Sequence, residues 1–258
     1  MPLDKLFISY YTMMRKAVVR IIRIWPQTIL PSIVTSILYF TVFGTILGSR
    51  IGQIGGFNYM QFVVPGLVML AVITNAYTEV ASTFFTSKFF SRNIDEILVS
   101  PTPPWVIIAA FASAGVVRAV IVGIIVLVVS MIFSLPNIAH PLIIAFYLVL
   151  SSAIFALAGL VNGIYAKNFD AITIVPTFVL TPLVYLGGVF YSASSLSPTF
   201  QTLTHLNPIF YLINGFRYGF LGFADVSLWL ATGVLLTLGA VFVAINWYLL
   251  KTGLGLKQ

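Results

Sequence analysis

Six apolar runs, each long enough to cross a bilayer, contain only two charged side chains between them. The runs cover about 28–48, 60–81, 105–135, 142–165, 171–191 and 228–250, and the two charges are Glu79 and Arg118. A hydrocarbon core takes about 20 consecutive apolar residues as one helix. It also requires every backbone N–H and C=O to find its partner inside the protein, which for isolated runs of this length means α-helix. The third run is long enough to tilt or to begin in the interface. Composition excludes the soluble alternative, since 60% of 258 residues are hydrophobic and only 7% are charged, whereas a soluble domain carries about 25% charged residues. The expected fold class is an all-α membrane protein, a single transmembrane domain over 1–258 with six transmembrane helices. No polar stretch is long enough for a separate soluble domain. With no cysteine, there is no disulfide framework or thiolate metal site, and the redox compartment stays undetermined.

Residues 1–26 precede the first run. They are not read as a secretory signal, because their basic residues are scattered and no short apolar run with a small-residue cleavage site follows. Projected at 100° per residue, Leu3, Phe7, Tyr10, Met14, Val18, Ile21 and Trp25 fall within about 80°. Lys5, Lys16, Arg20 and Arg23 cluster nearly opposite, with Arg15 on the flank. This is the pattern of an amphipathic interface helix, although a plain positive flank before the first span would share its charge. With the N-terminus inside, ten basic residues (Lys5, Arg15, Lys16, Arg20, Arg23, Lys88, Arg92, Lys167, Lys251, Lys257) fall on cytoplasmic segments, and two (Arg50, Arg217) fall outside. That bias places both termini in the cytoplasm, and it accounts for the net charge of +7 without a nucleic-acid partner. Trp25, Trp105 and Trp247 at inner boundaries, with Tyr59, Tyr191 and Trp229 at outer ones, agree.

The stretch 192–227 holds apolar runs too short to span, broken by Pro198 and by Asn207-Pro208. It reads as one or two short helices re-entering the outer leaflet, tolerated only when packed on protein or lining a cavity. Small-xxx-small spacings occur at Gly44/Gly48/Gly52/Gly56, Gly159/Gly163 and Gly215/Gly219, a pattern that permits close helix approach. Pro176, Pro182 and Gly187-Gly188 should kink the fifth span.

Chemistry is sparse. His140 and His205 lie far from any metal-ligand spacing, and no span carries paired carboxylates. A Gly-x4-Gly-Lys-Ser/Thr loop is absent, so the chain is not an enzyme of the Walker type, no metal or cofactor is expected, and any ATP hydrolysis must occur in a partner. Glu79 and Arg118 lie 19 and 20 residues from Leu98, which in an antiparallel hairpin brings them to similar depth. An intramembrane charge pair is one outcome, and snorkelling of Arg118 to the interface is the other. Between the second and third runs, Phe90, Ile94, Ile97 and Leu98 form an apolar stripe beside Arg92, Asp95 and Glu96, ending at Pro101. Such a helix can lie on headgroups or dock into a partner's groove.

The run Asp95-Glu96-Ile97-Leu98-Val99-Ser100-Pro101 resembles the coupling-helix segment of ABC-2 type permeases, membrane subunits of ATP-binding-cassette transporters. The run from Asn207-Pro208 through Tyr211 to Arg217 and Leu221-Gly222 resembles that family's Asn-Pro-aromatic to Arg-x-x-x-Leu-Gly signature. Val175-Pro176-Thr177-Phe178 and Leu186 to Tyr191 resemble its fifth-helix sequence. The resemblance extends over essentially the whole chain and is nearest to the YadH-like subgroup, related to nodulation-factor and drug-export permeases. It implies a cytoplasmic coupling helix, a homodimeric path, two copies of a separate ATPase subunit and a bacterial inner-membrane location. It implies export, but selects no substrate. A stand-alone secondary transporter or channel would need ionisable residues near the midplane. An intramembrane enzyme would need convergent His or carboxylates, and a non-transport assembly protein would share the fold alone.

Overall fold

A computed structural model of the chain describes residues 2–90 and 93–256. Helix α1 (Leu3–Arg23) breaks at Ile24, and α2 (Trp25–Ile51) follows directly, admitting Pro26 in its first turn where no N–H is needed. Within α2 the stretch Phe40–Leu47 is π-helical. Gly52, at φ 78°, stops the helix in a conformation that β-carbon sterics deny other residues. A two-residue hairpin, β1 (Gln53–Ile54) and β2 (Phe57–Asn58), turns the chain into α3 (Tyr59–Phe89). The short α4 (Asn93–Val99) joins α3 to α5 (Pro104–Ser130), and α6 is Pro141–Tyr165. Helix α7 (Phe169–Tyr185) starts where the Asn168 side chain accepts from Ala171 N at 2.9 Å, and it is π-helical over Pro176–Leu180. Pro182 is held in its final α-helical turns. Then come α8 (Pro198–Leu206), α9 (Pro208–Leu221) and α10 (Leu228–Thr252).

Five of these helices, α2, α3, α5, α6 and α10, are long and apolar enough to cross a membrane, while α7 is shorter. The chain is therefore an all-α membrane protein. Helix α3 is its axis, with 78% of its apolar window buried, against 11% for α2 and for α10. Glycines allow α5 and α6 to close on it. Gly159 and Gly163 of α6 face the backbone of Tyr77 and Ala81, and a β-carbon on Gly163 would stand 3.0 Å from the Ala81 carbonyl oxygen. Gly115 of α5 meets Val80 and the Ala76 carbonyl. These are the small-residue contacts on which helix association in lipid depends.

The helices differ from the apolar runs in instructive ways. Helix α3 continues past Ala81 to Phe89, because its last turns are hydroxyl-rich but hold no helix breaker. The third run is helical only to Ser130, the end of α5, and not to Leu135, with Met131 to Phe133 in a turn. The fifth run does not stay helical to Tyr191. It leaves the helix after Tyr185 and turns at Gly188, φ 81°, so that the fully buried Val189 packs against Gly66. Gly52 and Gly56, the outer half of the first glycine ladder, serve the hairpin with positive φ, and a β-carbon on either would meet nothing within 4 Å.

Candidate functional site

Helix α1 folds back on the bundle where α3 ends and α5 begins. Tyr10 Oη lies 2.9 Å from Ser113 Oγ on α5. Ala17 and Ile21 are buried, while Leu3 and Phe7 are exposed. Arg20, at the edge of the basic face, donates from Nη2 to Glu79 Oε1 and to Thr83 Oγ1. From the other side Arg118 Nη1 donates to Glu79 Oε2. Helical side chains lean toward their own N-terminus, so on antiparallel α3 and α5 Glu79 and Arg118 lean toward each other. Glu79 is 1% exposed. One carboxylate thus holds three helices, and removing it would leave both arginines unpaired at a cost of about 3–5 kcal/mol. Twenty residues separate Glu79 from Tyr59, or about 30 Å of helix, so the cluster stands one hydrocarbon thickness below the other end of α3.

The same end carries α4. Ile94 is 1% exposed, packed in a cluster with Val80, Phe84, Ile107 and Ile108, and Ile97 and Leu98 are half-buried against it. Phe90, Asp95, Glu96, Val99 and Pro101 are exposed. The apolar stripe is therefore divided. Ile94, Ile97 and Leu98 attach the helix to its own bundle, and its outward face is left to Val99 and the two carboxylates, while Phe90 lies outside α4 as the C-cap of α3. Ser100 Oγ donates to the Ile97 carbonyl at 2.6 Å and closes the helix before Pro101. Arg92 lies outside the described residues, as does Lys257. Lys88 reaches the carbonyls of Ile164, at 3.0 Å, and Gly255, tying the ends of α3, α6 and α10. A cation near helix C-terminal carbonyls is favourable, and this long-range contact had no counterpart in the local sequence pattern.

At the opposite end α8 and α9 form a helical hairpin. The Asn207 side chain accepts from Ile209 N at 3.0 Å as the cap of α9, and donates to the Leu183 carbonyl. Pro208 occupies the first turn, and Gly222, left-handed at φ 68°, closes the helix. Tyr211 Oη donates to the His205 carbonyl at 2.8 Å and pins α8 to α9. Arg217 is not the exposed loop cation that the charge count assumed. It is 1% exposed, donates to the Gly188 carbonyl and lies 3.8 Å from the Phe62 ring centroid. A guanidinium on an aromatic face, with a carbonyl partner, is a tolerable burial, and it clasps α9 to the turn after α7 and to α3.

Between these two ends, a groove of about 230 Å³ runs between α2, α3 and α7. Hydroxyl and amide groups of Ser32, Thr35, Tyr39, Thr74, Asn75 and Tyr185 line it. Asn75 Nδ2 donates to Ser32 Oγ at 3.1 Å, and the Tyr39 and Tyr185 hydroxyls lie 2.8 Å apart. No Asp, Glu, Lys or Arg is in the lining. Asn75 stands one helical turn above Glu79 on α3, so the groove and the charged cluster share one face of that helix.

A family profile described as "ABC-2 type transporter" matches residues 8–221. The chain is 53% identical over 243 residues to "Inner membrane transport permease YadH" of Escherichia coli strain K12, covering 94% of each chain. It is 23% identical over 225 residues, 86% of each chain, to "Nodulation protein J" of Neorhizobium galegae. With "Nodulation protein J" of Rhizobium leguminosarum bv. trifolii it shares 24% identity over 223 residues, 83% of this chain and 80% of that one.

Proposed function

This chain belongs to the ABC-2 type transporter family and is a transport permease, and from that premise we propose that it is the membrane-spanning subunit of an ATP-driven exporter. A separate ATPase subunit, in two copies, supplies the energy, and two copies of this chain enclose the path. The single transmembrane domain over 1–258 has six spans, the fifth being the kinked α7, with 192–227 re-entering the outer leaflet as the α8–α9 hairpin. Both termini are cytoplasmic. Helix α1 lies in the inner interface of the bacterial inner membrane, and α4 is the coupling helix.

The observation that carries this reading is the meeting of α1, α3 and α5 on Glu79 at the end of the bundle from which α4 projects. A push on α4 passes through Ile94 into the ends of α3 and α5, and through the Glu79 cluster into α1. Coupling of this kind needs an element with two arrangements that both sites can bias, and a single carboxylate shared by two arginines is such a junction. Helix α3, at 31 residues, measures about 46 Å and outreaches the roughly 30 Å hydrocarbon core, so its hydroxyl-rich last turns stand in the inner interface. The uncharged groove supports the dimer. Hydroxyl groups open at hydrocarbon depth belong against protein or a cavity, not lipid, and a second copy would cover them.

The test is hydrolysis and capture. Purified alone, the chain is expected to hydrolyse no ATP, and purified gently from its native membrane it should bring an ATP-binding-cassette ATPase with it. Robust hydrolysis by the isolated chain, free of contaminating ATPase, would overturn the assignment.

A further inference from the structure

A cleft of about 650 Å³ opens between α1, the last turns of α3, the start of α5 and α4. Arg15, Lys16, Arg20 and Arg23 of α1 line one wall, and Thr83 and Ser87 of α3 line the facing one. Its apolar floor includes Met13, Ala17 and Phe111, and Ile97 brings α4 to its edge. Among the described residues the lining contains no Asp or Glu. Glu79, beside the cleft, is already divided between Arg20 and Arg118. The Nε–H groups of those two arginines are buried and find no acceptor among the described residues. Beside the cleft, Phe7, Tyr11 and Ile22 of α1 are exposed apolar surface.

We propose that this cleft binds the phosphate-bearing headgroup of an anionic amphiphile from the inner leaflet, with its acyl chains lying along the exposed apolar side of α1. Cations supply the charge, the Ser87 hydroxyl donates to a phosphate oxygen, and the apolar floor accommodates the glycerol and first methylenes. The site joins the interface helix to the coupling helix through Ile97, so its occupancy bears on how firmly α1 and α4 hold together. The inference rests on the placement of α1 in the inner interface. Lys5 shares the basic side of α1 but lies outside the lining, and it therefore separates a built site from general surface charge.

The test uses the full-length chain, delipidated in a neutral maltoside detergent, with binding of dioctanoyl phosphatidylglycerol read by native mass spectrometry. Neutralising both flanking arginines, Arg15→Gln with Arg23→Gln, should weaken binding about thirtyfold, as expected for two basic contacts. Lys5→Gln should leave it near wild type, as should the charge-keeping pair Arg15→Lys with Arg23→Lys, which also guards against misfolding. Equal losses in Lys5→Gln and the glutamine pair would overturn the site, as would loss in the lysine pair or equal binding of dioctanoyl phosphatidylcholine. Millimolar inorganic phosphate should fail to displace the lipid. Displacement would mean that the cleft takes free phosphate and not an amphiphile. A cysteine at Phe7 separates the two levels: if it is lipid-accessible while the lipid does not bind, only this inference fails, and if it is fully water-exposed, the interface placement beneath it fails too.

Discussion

Glu79 is the residue on which the lower half of the molecule depends. It is buried, it is charged, and two guanidiniums and the Thr83 hydroxyl converge on it. Glu79→Ala leaves two cations without a counter-charge, so it should destabilise the chain by about 3–5 kcal/mol, read as a lowered thermal midpoint in detergent. Arg118→Ala alone should cost less, because Arg20 still pairs with the carboxylate. The two losses should not add, since both report one network, and strict additivity would show that the pair is not coupled. The near-equal spacing of Glu79 and Arg118 from Leu98, 19 and 20 residues, made their similar depth legible in the sequence but left pairing and snorkelling both open. Arg20 was not legible as their third partner. It stands at the edge of the basic arc, and only the docking of α1 on α5, through Tyr10, Ala17 and Ile21, shows that this edge faces inward. Glycines make a second residue-scale test. A methyl at Gly163 meets the Ala81 carbonyl oxygen at 3.0 Å, whereas nothing lies within 4 Å at Gly233. Gly163→Ala should cost about 1–3 kcal/mol by overpacking, and Gly233→Ala should be neutral or stabilising by up to about 1 kcal/mol. Equal midpoints for the two would contradict the close α3–α6 contact.

Among the elements, α1 and α4 are the ones that the sequence describes only halfway. The period of α1 reveals an amphipathic helix, but not which edge of the stripe meets the bundle. Phe7 is 67% exposed and Ile21 is 2% exposed, so the apolar stripe is shared between lipid and protein. Cysteine at Phe7 should react with a lipid-phase probe, and cysteine at Ile21 should react with no probe in the folded chain. A water-exposed Phe7 in the assembled protein would contradict an interfacial helix. Of the stripe Phe90, Ile94, Ile97 and Leu98, only the last three lie on α4, because Phe90 caps the end of α3, and a stripe can be satisfied from within as well as by a partner. The structure uses Ile94 for its own core, which makes Ile97→Asp a lesion of the bundle as much as of any docking surface. The end of α7 was hidden for a different reason. Leu186 to Tyr191 is as apolar as the helix before it, and only the left-handed backbone at Gly188 ends the span. The hairpin α8–α9 was legible in outline because proline and Asn207 punctuate it. The burial of Arg217 was not, because a charge count places every arginine between spans in water.

At the scale of the whole molecule, the long apolar runs determine the fold class, and the hydroxyl groove beside them is where the proposed second copy would pack. Helices α2 and α10 expose most of their apolar surface, which lipid can cover. The groove between α2, α3 and α7 exposes Thr35 and other hydroxyls, which lipid covers poorly. Cysteine substituted at Val34, exposed on α2 beside the groove, should cross-link between two copies in lipid, while cysteine at Trp229, exposed at the far end of α10, should not. Active monomers alone would contradict the dimer. The proposed coupling, in which a separate ATPase drives this permease through α4, is tested most directly by purification from native membranes with and without the exposed apolar residues that flank and end α4, Phe90 and Val99. Wild-type chain should retain an ATP-binding-cassette ATPase in equal numbers of subunits. Phe90→Asp with Val99→Asp should lose it while the chain stays inserted and folded, because buried apolar anchors carry most of an interface's affinity. Glu96→Ala should lose less, as a rim charge. An ATPase still bound at wild-type level to the Phe90→Asp and Val99→Asp chain would contradict the account.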